Sequence, residues 1–151
     1  MDEIKELYQQ IILDHNKNPK NYGELENYNH TSEGYNPLCG DRLNVYLQIE
    51  DDKIRDIHFV GSGCAISKAS ASVMTTVLKG KTIAEAREIF KKFQELITSN
   101  SGVQPDFDKY GKLAVFAGVR EFPTRVKCAS LGWHTVLAAI EDKDEVVTTE
   151  S

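Results

Sequence analysis

Three cysteines and one aspartate are the residues of this sequence whose types and spacing suggest chemistry. Cys39 and Asp41 lie two residues apart in the stretch NPLCGD. On an extended segment, residues i and i+2 project to the same side, so one sulfur and one carboxylate can point to the same place. Cys64 and Cys128 supply two more sulfurs. Three thiolates and a carboxylate suit a tetrahedral Zn²⁺, and they also suit an iron–sulfur cluster with aspartate as the fourth ligand.

Each of these residues also has a plain structural interpretation. A lone cysteine is most often a small buried hydrophobic residue, and an aspartate such as Asp41 is common in turns. The sequence contains no CxxC, which excludes a thioredoxin-type dithiol and the common zinc-finger spacing. An odd number of cysteines without an export signal disfavours a disulfide framework. Cys64 and Cys128 fall near the starts of predicted helices, where the partial positive charge favours a thiolate.

Local geometry separates two of the four histidines from this group. His58 precedes the second cysteine by six residues on a strand, which is roughly 20 Å if the chain stays extended. His134 follows the third cysteine by six residues on a helix, so it faces another direction. His15 and His30 are not excluded in this way, although a surface or hydrogen-bonding role is the better interpretation of both.

The elements that must position these side chains predict an α+β domain. Apolar residues at helical spacing predict helices, and alternating apolar residues predict strands. A T-x-x-E capping box starts the third helix, and the opposite phases of Ile54 and Ile57 suggest a bulge or a frayed strand start. The expected helices cover 2–17, 64 to about 79, 83–97, 107–118 and a segment from Pro123, with strands at about 29–36, 42–50 and 54–60 and a loop over 98–106. We therefore expect a small antiparallel sheet of about three strands with helices packed on one face.

Length and charge limit the classes of function. The chain has 151 residues, which is enough for one domain with its own core. We expect this domain over 1–142 and a flexible acidic tail over 143–151. The formal net charge of -5 argues against a nucleic-acid partner. The N-terminus has no apolar signal region, and no apolar run has membrane length, so a cytoplasmic protein without a membrane partner is predicted.

The cysteine motifs together resemble the U-type iron–sulfur cluster assembly proteins. NPLCGD (36–41), GSGCAIS (61–67) and RVKC (125–128) occur in that family's order. The N-terminal pattern Y…DH..NP.N.G is also present, at Tyr8, Asp14, His15, Asn18, Pro19, Asn21 and Gly23. The resemblance covers nearly the whole chain except the acidic tail. It implies a metal site formed by Cys39, Asp41, Cys64 and Cys128.

Departures from the scaffold branch, IscU, make the sequence more similar to the SufU branch. Lys127, not a histidine, precedes the third cysteine, and EFPTRVK replaces the chaperone-docking LPPVK. Extra residues occupy about 99–122, where we expect a surface role and no ligands. The SufU resemblance implies bound Zn²⁺ and transfer of persulfide sulfur from a SufS-like cysteine desulfurase to Cys39, with Arg125 beside the site.

The expected activity is therefore that of a sulfurtransferase-like carrier that passes sulfur to downstream cluster assembly machinery. Cys39 is the best candidate for a mobile ligand because Gly40 gives its turn conformational freedom. Arg125 and Lys127 could offset the negative charge of the site, although an exposed basic residue is an equally good interpretation of Lys127. Two alternatives remain open, a scaffold for a [2Fe–2S] cluster or iron on the same ligands and an adaptor with structural zinc.

Overall fold

Helices and strands follow the predicted order in the computed structural model, which describes residues 2–99, 107–142 and 146–148. The helices are α1 (Asp2–Lys17), α2 (Ala65–Leu78), α3 (Ile83–Thr98), α4 (Phe107–Tyr110) and α5 (Pro123–Ile140), with a 3₁₀ helix at Gly111–Glu121 between the last two. The strands are β1 (His30–Asn36), β2 (Asp41–Glu50), β3 (Lys53–Ser62) and β4 (Val147–Thr148). The predicted α+β class is confirmed.

The sheet has the strand order β3-β2-β1-β4. β1, β2 and β3 form the predicted antiparallel sheet, and β4 adds a two-residue parallel pair to β1. The predicted bulge is present, because Gln48 pairs with Asp56 whereas Ile49 pairs with Ile54. This leaves Arg55 as the extra residue and brings both Ile54 and Ile57 to the buried side.

The core lies between one face of the sheet and the helices. α5 packs across β1 and β2, and α2 packs against α5, α1 and β3. Each large apolar side chain that is buried in this core contributes about 1.5–3 kcal/mol to stability. Among them, Trp133 stacks on Phe93 at 4.5 Å between ring centroids. The largest fully buried side chains include Trp133, Phe59, Phe93, Phe116, Leu43, Leu47, Ile57 and Met74. The helices therefore hold one face of the sheet rigidly.

The segment between α3 and α5 contributes residues to the core. The predicted helix 107–118 is present as α4 followed by the longer 3₁₀ helix. Leu113, Phe116 and Val119 in the 3₁₀ helix are buried in the core, so this segment also contributes to the core, and its surface role stays a prediction. Of the loop predicted over 98–106, residues 100–106 lie outside the described residues, and Thr98 still belongs to α3.

The predicted acidic tail is described only in part. Val147 and Thr148 pair with Gly34 and Tyr35 of β1, so this portion is attached to the sheet. Residues 143–145 and 149–151 lie outside the described residues. The domain boundary at 142 and the flexibility of the tail stay predictions.

The segment after α1 covers the free edge of β3. The Gly23 amide donates to the Phe59 carbonyl at 2.9 Å, and the Phe59 amide donates to the Asn21 carbonyl at 3.2 Å. At the other end of the strand, Lys53 forms a bridge with Thr82. Over the described residues, no helix is both long and apolar enough to cross a membrane.

Candidate metal centre

The β1–β2 hairpin brings the first two candidate ligands together. Asn36 and Asp41 are paired across the hairpin, and Pro37–Gly40 form the turn between them. The Gly40 amide closes this turn by donating to the Asn36 carbonyl at 2.8 Å, with a φ of 72° at Gly40. Such left-handed backbone suits glycine. Cys39 and Asp41 are therefore close, as predicted, but because of a tight turn and not an extended segment.

Cys64 is the N-cap residue of α2, which confirms its predicted place at a helix start. Its Sγ accepts a hydrogen bond from the Ser67 amide at 3.4 Å. Its backbone amide donates to Asp41 Oδ1 at 2.8 Å, and its Sγ lies 3.9 Å from Asp41 Oδ2. The helix start thus fixes both the Cys64 thiol and the Asp41 carboxylate.

Cys128 approaches from the opposite side, in the second turn of α5. Its thiol is buried, and its Sγ lies 3.4 Å from Cys39 Sγ. Within the described part of the chain, Cys39, Asp41 and Cys128 form a group whose ligand atoms all lie within 4.8 Å of one another. Cys64 is not in this tight group but adjoins it through Asp41. All four predicted residues are therefore gathered at one place.

Asn36 is a site residue that sequence reasoning missed. It is fully buried, and its Nδ2 lies 3.2 Å from Asp41 Oδ2 and 3.4 Å from Cys128 Sγ. An asparagine before proline suggests only a turn. The signal that could have found it is the four-residue hairpin loop between Asn36 and Asp41, which places these two residues opposite each other.

The thiols differ in their affinity for protons. The pKa of Cys64 is lowered to about 7, chiefly by a hydrogen bond with Cys128 and also by the Ser67 amide, against the opposing effect of burial. The pKa of Cys128 is raised by the same hydrogen bond to Cys64 and by burial. The expectation that a helix start favours a thiolate therefore holds for Cys64 and is wrong for Cys128 in the metal-free protein.

A cleft of about 710 Å³ opens onto the cysteines. Cys39 is exposed, whereas Asp41 and Cys128 are buried and Cys64 is half-buried. The cleft wall is mostly apolar and contains Phe122, whose ring carries the Arg125 guanidinium at 4.3 Å from its centroid. Lining residues from the helices include Gln9, Ile12, Leu13 and Ile66. Arg125 is thus beside the site, as predicted.

The two histidines left open by the sequence have other partners. His15 Nδ1 lies 2.7 Å from Ser72 Oγ. The pKa of His15 is lowered, mainly by burial of the ring. His30 Nδ1 lies 2.9 Å from the Ala139 carbonyl and 2.9 Å from Asp142 Oδ1. Neither belongs to the metal-ligand group among the described residues. Both therefore have the hydrogen-bonding role that was the better interpretation.

The chemistry of the donor set fits Zn²⁺. Three sulfurs and one carboxylate oxygen are typical ligands for a tetrahedral zinc ion, with Zn–S distances of about 2.3 Å. The separation of 3.4 Å between two of the sulfurs is close to the edge of such a tetrahedron. Cysteine thiolates also hold iron–sulfur clusters, so the donor set alone admits either group.

Gly63→Ala is expected to disrupt the centre. The φ of Gly63 is 154°, and a Cβ there would collide with Asp41 Oδ1. The carboxylate must then move, so zinc affinity should fall, as measured by competition with a chromophoric chelator. Gly80→Ala is the matched control, because Gly80 also has positive φ, 85°, but an added Cβ meets nothing within 4 Å. Equal zinc affinities for the two variants would contradict this prediction.

Comparison with known proteins places this site in a family. The model of the NifU-like N terminal domain matches residues 7–129. The zinc-dependent sulfurtransferase SufU of Bacillus subtilis is 41% identical over 127 residues, which cover 84% of each chain. The iron–sulfur cluster assembly scaffold protein IscU of Streptococcus pyogenes is 35% identical over 141 residues, covering 93% of this chain and 87% of that one.

Solved structures agree with this placement. A crystal structure from Fervidobacterium islandicum, described as an iron–sulfur cluster assembly scaffold protein for the SUF system, has a TM-score of 0.78 at 38% identity. The superposition covers 87% of this chain and 94% of that one. The family match spans the hairpin, the start of α2 and the start of α5, which together carry all four candidate ligands. The chain therefore belongs to the NifU-like N-terminal domain family, the U-type proteins that its cysteine motifs resemble.

Proposed function

We propose that this protein serves iron–sulfur cluster assembly as a zinc-dependent sulfur acceptor and carrier. Cys39 takes persulfide sulfur from a partner cysteine desulfurase and passes it to the downstream assembly machinery. The relatives named above include both a zinc-dependent sulfurtransferase and cluster scaffolds, and the 41% identical sulfurtransferase supports the carrier role. Zn²⁺ held by Cys39, Asp41, Cys64 and Cys128 would keep the sulfurs as thiolates at neutral pH.

The observation that supports the carrier role best is the asymmetry of the four donors. Asp41 accepts hydrogen bonds on both carboxylate oxygens, and Cys64 caps α2. Cys128 is buried in α5 and contacted by Asn36. Cys39 is the exposed thiol of the group and lies in a turn that contains a positive-φ glycine. It is therefore the donor that can meet a partner at the smallest conformational cost.

The transfer itself is a thiol–disulfide type of exchange. The Cys39 thiolate attacks the outer sulfur of a persulfide R–S–SH on the desulfurase. A new S–S bond forms to Cys39 Sγ, and the old S–S bond breaks. The electron pair of the broken bond leaves with the desulfurase sulfur as a thiolate, so Cys39 becomes the persulfide and no external oxidant is needed.

Two features of the cleft support this step. Its apolar wall, with Phe122 and Leu13 exposed at the rim, can exclude water from a docked peptide segment. The positively charged guanidinium of Arg125 lies beside the cysteines, where it can stabilise an anionic persulfide. The stacking on Phe122 limits the motion of the guanidinium. Arg125 is accordingly proposed to orient the incoming sulfur.

Metal analysis followed by persulfide mapping tests the proposal. We expect colourless protein with one zinc per chain and, after incubation with a desulfurase and cysteine, sulfane sulfur on Cys39 by peptide mass mapping. A sample without desulfurase is the control. Brown protein that holds a [2Fe–2S] cluster and accepts no persulfide would support the scaffold role instead. Zinc-loaded protein that neither accepts sulfur nor stimulates the desulfurase would support the adaptor role.

A further inference from the structure

A single buried amide contacts two of the four predicted ligands. Asn36 is fully buried, and its Nδ2 reaches both Asp41 Oδ2 and Cys128 Sγ. Asparagine has two N–H groups on that nitrogen, so one can be donated to the carboxylate and one to the sulfur. Asn36 thereby connects the hairpin that carries Asp41 with the helix that carries Cys128.

The contact with Asp41 completes the hydrogen bonding of the carboxylate. Oδ1 accepts the Cys64 backbone amide at 2.8 Å, and Oδ2 accepts the Asn36 amide at 3.2 Å. A carboxylate that accepts a hydrogen bond at each oxygen cannot rotate freely. The two donors together therefore fix the direction in which the carboxylate presents its remaining lone pairs.

The contact with Cys128 acts on charge as well as position. With zinc bound, three thiolates and one carboxylate would place four negative charges around the doubly positive ion, and Cys128 and Asp41 are buried. Buried negative charge is costly unless hydrogen bonds or an opposite charge compensate it. The Asn36 amide is a neutral donor that supplies such hydrogen bonds to the two buried ligands, Asp41 and Cys128.

We infer that Asn36 is a positioning residue of the metal centre. It fixes Asp41 and Cys128 as the permanent ligands and leaves the exposed Cys39 as the one that moves. This inference rests on the proposed zinc site and adds a division of labour among its ligands. Partners of metal ligands commonly contribute about 10–100-fold to metal affinity, and we expect an effect in that range for Asn36.

Asn36 also has a structural role from which the inference must be separated. Its backbone carbonyl accepts the Gly40 amide, and its Oδ1 accepts the Leu38 amide at 3.3 Å. Asn36→Asp retains the volume, the backbone and an oxygen for Leu38, and it replaces only the donating nitrogen. Asn44→Asp is the matched control, since Asn44 lies in β2 among the residues that alternate with the buried ones. Asn36→Leu is the second variant, which removes the amide donor without adding charge and keeps a similar volume.

The experiment measures zinc affinity by chelator competition, the visible spectrum of the Co²⁺-substituted protein, and the Tm of the metal-free protein. For both Asn36 variants we expect roughly 10–100-fold weaker zinc binding and a shifted Co²⁺ spectrum, with neither change in Asn44→Asp. Unchanged zinc affinity and Co²⁺ spectrum, with only a lower apo Tm, would reduce Asn36 to a turn residue and overturn the inference. These measurements need no desulfurase, so failed sulfur transfer would count against the proposed function alone, whereas a wild type that binds no zinc would overturn both.

Discussion

Cys39→Ser is expected to abolish sulfur transfer and leave the fold intact. Cys39 is exposed in the hairpin turn, and serine has nearly the same shape. Little apolar area is lost, so the free energy of unfolding should change little. The hydroxyl cannot replace a thiolate as the nucleophile toward a persulfide. Peptide mass mapping after one turnover with a desulfurase should find no stable persulfide, and stimulation of the desulfurase should be lost.

The other two cysteines provide the comparison. Cys64→Ser and Cys128→Ser should lower zinc affinity, and Cys128→Ser should also lower the Tm because it places a hydroxyl at a buried position. In wild-type protein the sulfane sulfur should be on Cys39. Persulfide found mainly on Cys64 or Cys128, or an active Cys39→Ser protein, would show that Cys39 is a structural ligand and would favour the scaffold or adaptor role.

Among substitutions that leave every thiol in place, Asp41→Ala is expected to cause the largest loss of zinc affinity. It removes a proposed ligand that is fully buried, so the loss should exceed the roughly 10–100-fold typical of residues that only support a ligand. The Cys64 amide also loses its acceptor, which costs about 1–3 kcal/mol of stability. Chelator competition measures the first effect, and thermal unfolding of the metal-free protein measures the second.

The domain should nevertheless stay folded without metal. Structural zinc supplies about 10–16 kcal/mol in zinc-finger peptides, which have little core of their own. Here the sheet and helices enclose a continuous apolar core, so far-UV circular dichroism should retain most of its helical signal after chelation. The control for Asp41→Ala is Asp56→Ala, which removes a carboxylate on the side of β3 away from the core. Collapse of the helical signal on chelation would mean that zinc is structural.

The parts of the site that depend on local sequence were predictable. The helix that starts at Cys64 and the capping box at Thr82 follow from short-range patterns, and both are confirmed. The proximity of Cys39 and Asp41 also followed from two-residue spacing, although the turn produces it by a different geometry. These features depend on neighbours within a few residues, so the sequence specifies them directly.

The parts that depend on long-range packing were not predictable in the same way. The role of Asn36 requires Cys128, which is 92 residues away along the chain. The raised pKa of Cys128 depends on the thiol of Cys64, and no helix-start argument contains that pair. The sequence predicted a helix over 107–118 but not its packing, in which Phe116 lies edge-on against Phe93 at 6.0 Å between ring centroids. Only the tertiary fold brings these residues together.

The segment beside β3 has a consequence for aggregation. An uncovered edge strand offers unpaired amides and carbonyls to a second chain and promotes polymerisation. Here Asn21 and Gly23 pair with Phe59, and Thr82 forms a bridge with Lys53. On the opposite side, Val147 pairs with Gly34 of β1. Both edges of the sheet are therefore blocked at these points, which disfavours strand-to-strand association with other copies while the apolar cleft beside the cysteines stays open.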